Sequence, residues 1–185
     1  MLDLLKINLI GIIISTSYLI WSYGAKEHVN SVAERSLVNQ NFSTTKTLST
    51  PSPFNTLLWR VIAITDSGYV EGFYSLLDES DEMKFNSYLS QNELLYSIAD
   101  DWNVKRLQWF TKGFYDVSNV DDKIVITDLR MGVSGLYFFR FTVGEKSTYG
   151  IRTAEVEKLA PEEFNSIEPL KRLWHRIWDE NVDIF

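Results

Sequence analysis

An N-terminal transmembrane helix followed by an α+β domain, its sheet mainly antiparallel with packed helices, is what this 185-residue sequence predicts. Three observations carry the expectation. The run LLKINLIGIIISTSYLIWSY at 4–23 holds a single charge, Lys6. In the middle of the chain, β-branched and aromatic runs are joined by tight-turn residues, the pattern of hairpins. Between and after them, apolar residues recur at helical spacing. Strands that dominate the middle, with helices interspersed, read as α+β rather than as an alternating parallel fold.

The opening run, as a helix rising 1.5 Å per residue, is about 30 Å long, the thickness of a bilayer's hydrocarbon core. Tyr18, Trp21 and Tyr23 gather at one end, where amphipathic rings favour the membrane–water boundary. Lys6 can snorkel to the opposite interface. A cleaved signal peptide needs a positive n-region, a short apolar region and a small-residue cleavage site. Here Asp3 offsets Lys6 and no A-x-A pattern follows, so a retained membrane helix is the expectation. Ser15, Thr16 and Ser17 lie in mid-span, and small hydroxyl residues let neighbouring helices approach closely. The expected partners are therefore the bilayer and other transmembrane helices.

Asp3 and Lys6 cancel, so the net charge of −7 belongs to the rest of the chain. That balance argues against a nucleic-acid partner, which needs a basic face to neutralise phosphates. Aromatic residues make up 14% of the chain, a content suited to a sheet-rich core. With no cysteine, disulfides, zinc-thiolate sites and Cys nucleophiles are excluded.

Taken in order, 25–38 places Val29, Val32, Ala33 and Leu37 at near-helical spacing, a short amphipathic helix continuing from the membrane. Residues 39–53, rich in Ser, Thr and Asn and closed by Pro51 and Pro53, read as a linker. The division is thus 1–24 transmembrane helix, 25–53 juxtamembrane helix and linker, and 54–185 soluble domain. A strand at 57–65, a turn at Asp66-Ser67-Gly68 and a strand at 69–77 make a hairpin. The acidic run 78–82 is a solvated connection. Ser90 and Glu93 have capping-box spacing, which predicts a helix over 91–102 with Leu94, Leu95, Ile98, Ala99 and Trp102 on one face. Strands follow at 107–117, with Gly113 marking a bulge, at 123–129 and at 137–143, with a turn at 118–122. A helical stretch begins at 161–164. A last helix presents Leu170, Leu173, Trp174, Ile177 and Trp178 on one face.

Few residues suggest chemistry. Arg60 shares a strand face with Leu58, Ile62 and Ile64, and Asp128 and Arg130 share one with Ile124 and Ile126, since side chains alternate with period two. Charges on apolar faces must be paired, so Asp128 is expected to pair with Arg60 or Arg130. That cluster is either a structural ion pair fixing register or an anion-binding site. Tyr74, Tyr115 and Asp66 are weaker candidates, better explained by packing or turn chemistry. The two histidines, His28 and His175, make no H-x-x-x-H or H-x-D spacing. No nucleophile-elbow glycines flank a serine, so no catalytic residue is assigned.

The segments PSPFNTLLWRVIAITDSGYVEGFYSLLD at 51–78, LQWFTKGFYDV at 107–117 and ITDLRMG at 126–132, with the closing LWHRIW, carry a resemblance. Together they resemble the C-terminal half of the bacterial inner-membrane predicted metal-dependent hydrolases, of the LexA-regulated, SOS-induced type. The resemblance implies several membrane helices ahead of this domain and a divalent metal held there by histidines and acidic residues, within an H-R-x-x-T-H-S-like motif. That motif does not occur in this chain, so no cofactor is expected in it and no metal ligand is carried over. The motif residues carried over are Pro53, Asn55, Trp59, Arg60, Phe110, Gly113, Tyr115, Asp128, Arg130 and Gly132. Two functional expectations follow: a truncated or split member of the hydrolase family, or a non-enzymatic, membrane-anchored binding or accessory module. Lys6 and the N-terminal amine nearly balance Lys26 and Arg35 across the span. The positive-inside count is thus close to even; the expectation is a cytoplasmic soluble domain, on the bacterial inner membrane that the resemblance implies.

Overall fold

The computed structural model describes residues 2–133, 135–160 and 168–184. It has the expected α+β architecture, a long apolar N-terminal helix followed by antiparallel sheets and further helices. Helix α1 (Leu2–Asn39) is continuous through the apolar run and the amphipathic segment, and its two halves have different surroundings. From Leu4 to Ile20 the Leu and Ile side chains are exposed, while Ala25, Val29, Val32, Ala33 and Leu37 are buried. Those five recur at helical spacing and form one stripe against the first sheet. The helix closes on Asn41, in the left-handed conformation at φ 60°, which asparagine tolerates better than most residues.

Four antiparallel strands form the first sheet in the order β1 (Thr44–Pro51), β2 (Leu58–Thr65), β3 (Gly68–Ser75), β4 (Phe85–Leu89). The expected hairpin is present, with Thr65 opposite Gly68 across Asp66-Ser67. Gly68 is required less for the turn than for space: a Cβ there would lie 2.1 Å from the Tyr88 carbonyl oxygen on β4. The 39–53 linker, by contrast, contains β1, the edge strand paired with β2 from Thr44 to Pro51. Its threonines are β-branched and suit an extended chain, and Pro51 sits at the strand end, where a missing N–H is tolerated. β2 and β3 read as nearly unbroken apolar runs because both faces are covered. Trp59, Val61, Ala63, Val70 and Tyr74 meet α1. Leu58 and Phe73 meet the C-terminal helix, and Ile62 and Tyr69 meet Leu129 and Tyr137.

The second sheet has the order β10 (Gly150–Leu159), β9 (Arg140–Ser147), β6 (Lys123–Asp128), β5 (Tyr115–Val120). A short ribbon, β7 (Gly132–Val133) with β8 (Leu136–Tyr137), connects β6 to β9. The single strand expected at 137–143 is therefore interrupted at Phe138 and Phe139. Leu95, Ile98, Val104, Val117, Ile124, Ile126 and Val143 form this sheet's core.

Two expected elements are displaced. The capping box at Ser90 does not form: Ser90 Oγ accepts the Val117 N–H at 2.9 Å, and Gln91 Oε1 accepts that of Asn119 at 3.0 Å. These side chains tie the segment to β5, and only a 3₁₀ helix follows, Asn92–Ile98. The true cap is Asp101, whose Oδ1 accepts the N–H groups of Asn103 and Val104. It starts α2 (Trp102–Phe110) where a strand beginning at 107 was expected. The aromatic residues that suggested a strand, Trp109 and Phe110, are exposed on α2. Gly113, at φ 83°, ends the helix rather than marking a bulge, its N–H donating to the Gln108 carbonyl.

The last helix, α3 (Glu168–Arg176), buries Leu173 and Arg176 together with the following Ile177. Leu170, Trp174 and Trp178, expected on the same inward face, are exposed. The expected helix start at 161–164 lies outside the described residues.

Candidate functional site

The structure separates the three candidate residues into two groups. Arg60 does not pair with Asp128 or Arg130. Its Nε donates to Glu71 Oε1, Nη1 to the Leu129 carbonyl at 2.8 Å, and Nη2 to Tyr137 Oη at 3.1 Å. Hairpin register brings this about: Arg60 stands opposite Phe73 and Ile62 opposite Glu71, which makes Arg60 and Glu71 diagonal neighbours on one face. Tyr137 Oη also lies 3.3 Å from Tyr69 Oη. Burial pushes both phenols upward from their ordinary range, and the Glu71 carboxylate adds to the rise at Tyr137. Arg60 and Glu71 are both buried. The network is a clasp between the first sheet and Leu129 and Tyr137.

Glu71 escaped the sequence reading although GYVEGFY places it on one face with Tyr69 and Phe73. The two-residue turn already set the register that puts it diagonal to Arg60.

Asp128 and Arg130 do pair, as one of the two expected alternatives. Arg130 Nε donates to Asp128 Oδ1 at 2.9 Å and Nη2 to Oδ2 at 2.6 Å, while the Arg130 backbone N–H also reaches Oδ1. Asp128 is buried at the end of β6, and Arg130 is partly exposed. The carboxylate holds the guanidinium firmly in its charged form and lays it 4.9 Å from the centre of the Phe110 ring, within cation–π range.

Arg130 opens onto a cleft of about 830 Å³ lined by Lys46, Gln108, Trp109, Phe110, Lys112, Gly113, Tyr115 and itself. Each part is held by a defined contact. Lys46 Nζ, from β1, donates to the Lys112 carbonyl at 3.0 Å. Gln108 Nε2 donates to Tyr115 Oη at 3.0 Å. Arg106 lies 4.3 Å from the Trp109 ring centre. Among the described residues no carboxylate lines the cleft, although the chain as a whole carries −7. Asp128 compensates Arg130 from behind, which leaves Lys46 and Lys112 as the outward positive charge. Such a place suits an anionic group attached to a flat or apolar body, held by charge-assisted hydrogen bonds and ring contact.

Of the residues carried by the family resemblance, Phe110, Gly113, Tyr115 and Arg130 meet at this cleft, with Asp128 behind it. The others are elsewhere. Trp59 packs under α1, Gly132 belongs to the β7–β8 ribbon, and Pro53 and Asn55 form a loop beside α3. Tyr74 is buried with its Oη 3.4 Å from His28 Nε2, Asp66 occupies the hairpin turn, and His175 lies beside that loop.

A second cleft, about 650 Å³, has the opposite character, with Asp78, Glu82, Glu180 and Asp183 among its lining. Lys84 and Arg176 also line it, and Arg176 is already engaged: its Nη1 and Nη2 donate to the two Asp78 oxygens at 2.6 and 2.7 Å, which fastens α3 to the segment after β3. Among the described residues no group of three or more His, Cys, Asp or Glu is placed to hold a metal ion. No family model, curated protein or solved structure matches the chain.

Proposed function

We propose that this protein is a membrane-anchored, non-enzymatic binding or accessory module, and that its ligand is an anion on an aromatic or apolar body. The reading rests on one observation: Lys46, Lys112 and Arg130 line one cleft together with exposed Trp109 and Phe110 in an otherwise acidic chain. The first half of α1 supports the anchor, being long and apolar enough to cross a bilayer, with none of its apolar window buried. In this reading it stays in a bacterial inner membrane and holds the domain at the cytoplasmic face. The hydrolase resemblance is accommodated rather than used: in a larger hydrolase the same cleft would present or sense a ligand beside a metal centre made by other residues.

Calorimetric titration of the full chain in lipid nanodiscs tests the cleft, with phenyl phosphate, phenol and inorganic phosphate as probes. Phenyl phosphate should bind more tightly than either part alone, and Lys112→Ala or Trp109→Ala should weaken it. Equal binding of all three probes, or retention of phenyl phosphate affinity in both variants, overturns the proposal.

A further inference from the structure

The loop after β1 has a feature that the cleft does not use. Phe54 is 100% exposed and sits in the left-handed region at φ 63°, where a bulky side chain is an outlier. The loop is well built around it. Asn55 Oδ1 accepts the N–H groups of Leu57 and Leu58, and Asn55 Nδ2 donates to the Pro53 carbonyl. A loop that these hydrogen bonds hold with its phenyl ring in water forgoes the burial free energy of that ring, unless something apolar receives it.

Position within the fold says what receives it. Tyr18 Oη, on the apolar run of α1, lies 3.4 Å from Thr56 Oγ1. The 53–56 loop therefore stands beside the turn of α1 that carries Tyr18 and Trp21, the rings expected at the membrane boundary. Next to it lies α3: the loop borders an open apolar hollow of about 310 Å³ that Leu170, Leu173 and Trp174 also line, with the Phe54 ring left exposed at its edge. The outward residues of α3 and its extension are Leu170, Trp174 and Trp178, at 40%, 59% and 64% exposure. Lys171, Arg172 and His175 are exposed between them, Lys171 with its Nζ 2.8 Å from Glu168 Oε1 at the surface. Exposed Trp and Leu interleaved with cations are the composition of a segment that lies in the interfacial plane of a bilayer.

We propose that the 53–56 loop and α3 form a second membrane contact. Phe54, Leu170, Trp174 and Trp178 enter the headgroup–acyl boundary of the leaflet from which α1 emerges, and Lys171 and Arg172 meet lipid phosphates. The contact turns a tethered domain into a docked one, with a fixed orientation to the bilayer. It rests on the reading of α1 as a membrane anchor and is separable from it by experiment.

The natural sequence has no cysteine, so single-cysteine variants can report depth in the full chain. Ile13→Cys, Phe54→Cys, Trp174→Cys and Tyr149→Cys, the last at the exposed tip of the β9–β10 hairpin, would carry a polarity-sensitive fluorophore. The chain is reconstituted in phosphatidylcholine–phosphatidylglycerol vesicles with spin-labelled lipids as quenchers. The proposal expects labels at 54 and 174 to lose most of their emission to shallow quenchers, the label at 13 to deep ones, and the label at 149 to neither. Lys171→Glu with Arg172→Glu should reduce quenching at 174 and leave 13 unchanged. Quenching at 13 with none at 54 and 174 overturns the second contact while the anchor stands. An unquenched label at 13 overturns the anchor and the contact together.

Discussion

Replacing Arg60 by Met removes the centre of the buried clasp and leaves its partners in place. Glu71, 0% exposed, loses the Arg60 guanidinium, and the Leu129 carbonyl and Tyr137 hydroxyl each lose a donor. Removing one member of a buried ion pair destabilises by about 3–5 kcal/mol, most of it the charge left behind. The Leu129 carbonyl adds about 1 kcal/mol, partly offset by Tyr137 turning its hydroxyl toward Glu71. The net expectation is a loss of about 4 kcal/mol, which lowers Tm by about 10 °C in a chain of this size. Thermal unfolding of the chain in detergent micelles, followed by near-ultraviolet circular dichroism, reads this directly. Glu71→Leu should be comparably damaging. The double variant R60M/E71L should cost less than either single variant, because an apolar pair of similar volume needs no compensation, and the two positions are then strongly coupled in a double-mutant cycle. Single variants that each cost under about 1 kcal/mol, with no coupling, would refute a buried clasp.

Three other outcomes follow from the same geometry. Asp128→Asn weakens the bidentate grip on Arg130 and should cost about 2 kcal/mol, measured by denaturant unfolding; full stability with lost phenyl phosphate binding would make the pair a binding device instead of a structural one. Arg176→Leu strands the buried Asp78 carboxylate and should cost about 3 kcal/mol, with limited proteolysis newly cutting near α3. Tyr69 and Tyr137 have folded-state pKa values raised above the unfolded value, so their stability contribution is complete below about pH 10 and falls as pH rises beyond it. Tyr137→Phe removes one titrating group and should make that alkaline decline shallower in pH-dependent melting curves.

Where burial follows one helical stripe, or an unbroken apolar run closed by a tight turn, the sequence was readable. The stripe Val29, Val32, Ala33 and Leu37 and the β2–β3 hairpin stand where spacing and turn chemistry put them. Several of the errors share a cause, residues whose side chains face water. β1 is polar because it is an edge strand, and β10 has mostly exposed residues, so neither presents the alternation of a half-buried strand. Trp102, Trp109 and Phe110 are exposed on α2, which inverted the usual meaning of an aromatic run. On α3 the Leu and Trp residues divide between the packed and the open face, and composition cannot tell one from the other. Of the candidate site, Asp128 with Arg130 was legible because they are near neighbours in sequence. The cleft was not, since Lys46, α2 and Arg130 come together only through the tertiary fold.

The anchor underlies both proposals, and alkaline carbonate extraction of cell membranes, combined with intact mass of the extracted chain, tests it most directly. A retained transmembrane helix predicts that the protein stays in the membrane pellet with a mass accounting for residues 1–24. Release into the supernatant, with a mass showing that stretch removed, would make the apolar run a cleaved signal sequence and contradict the account.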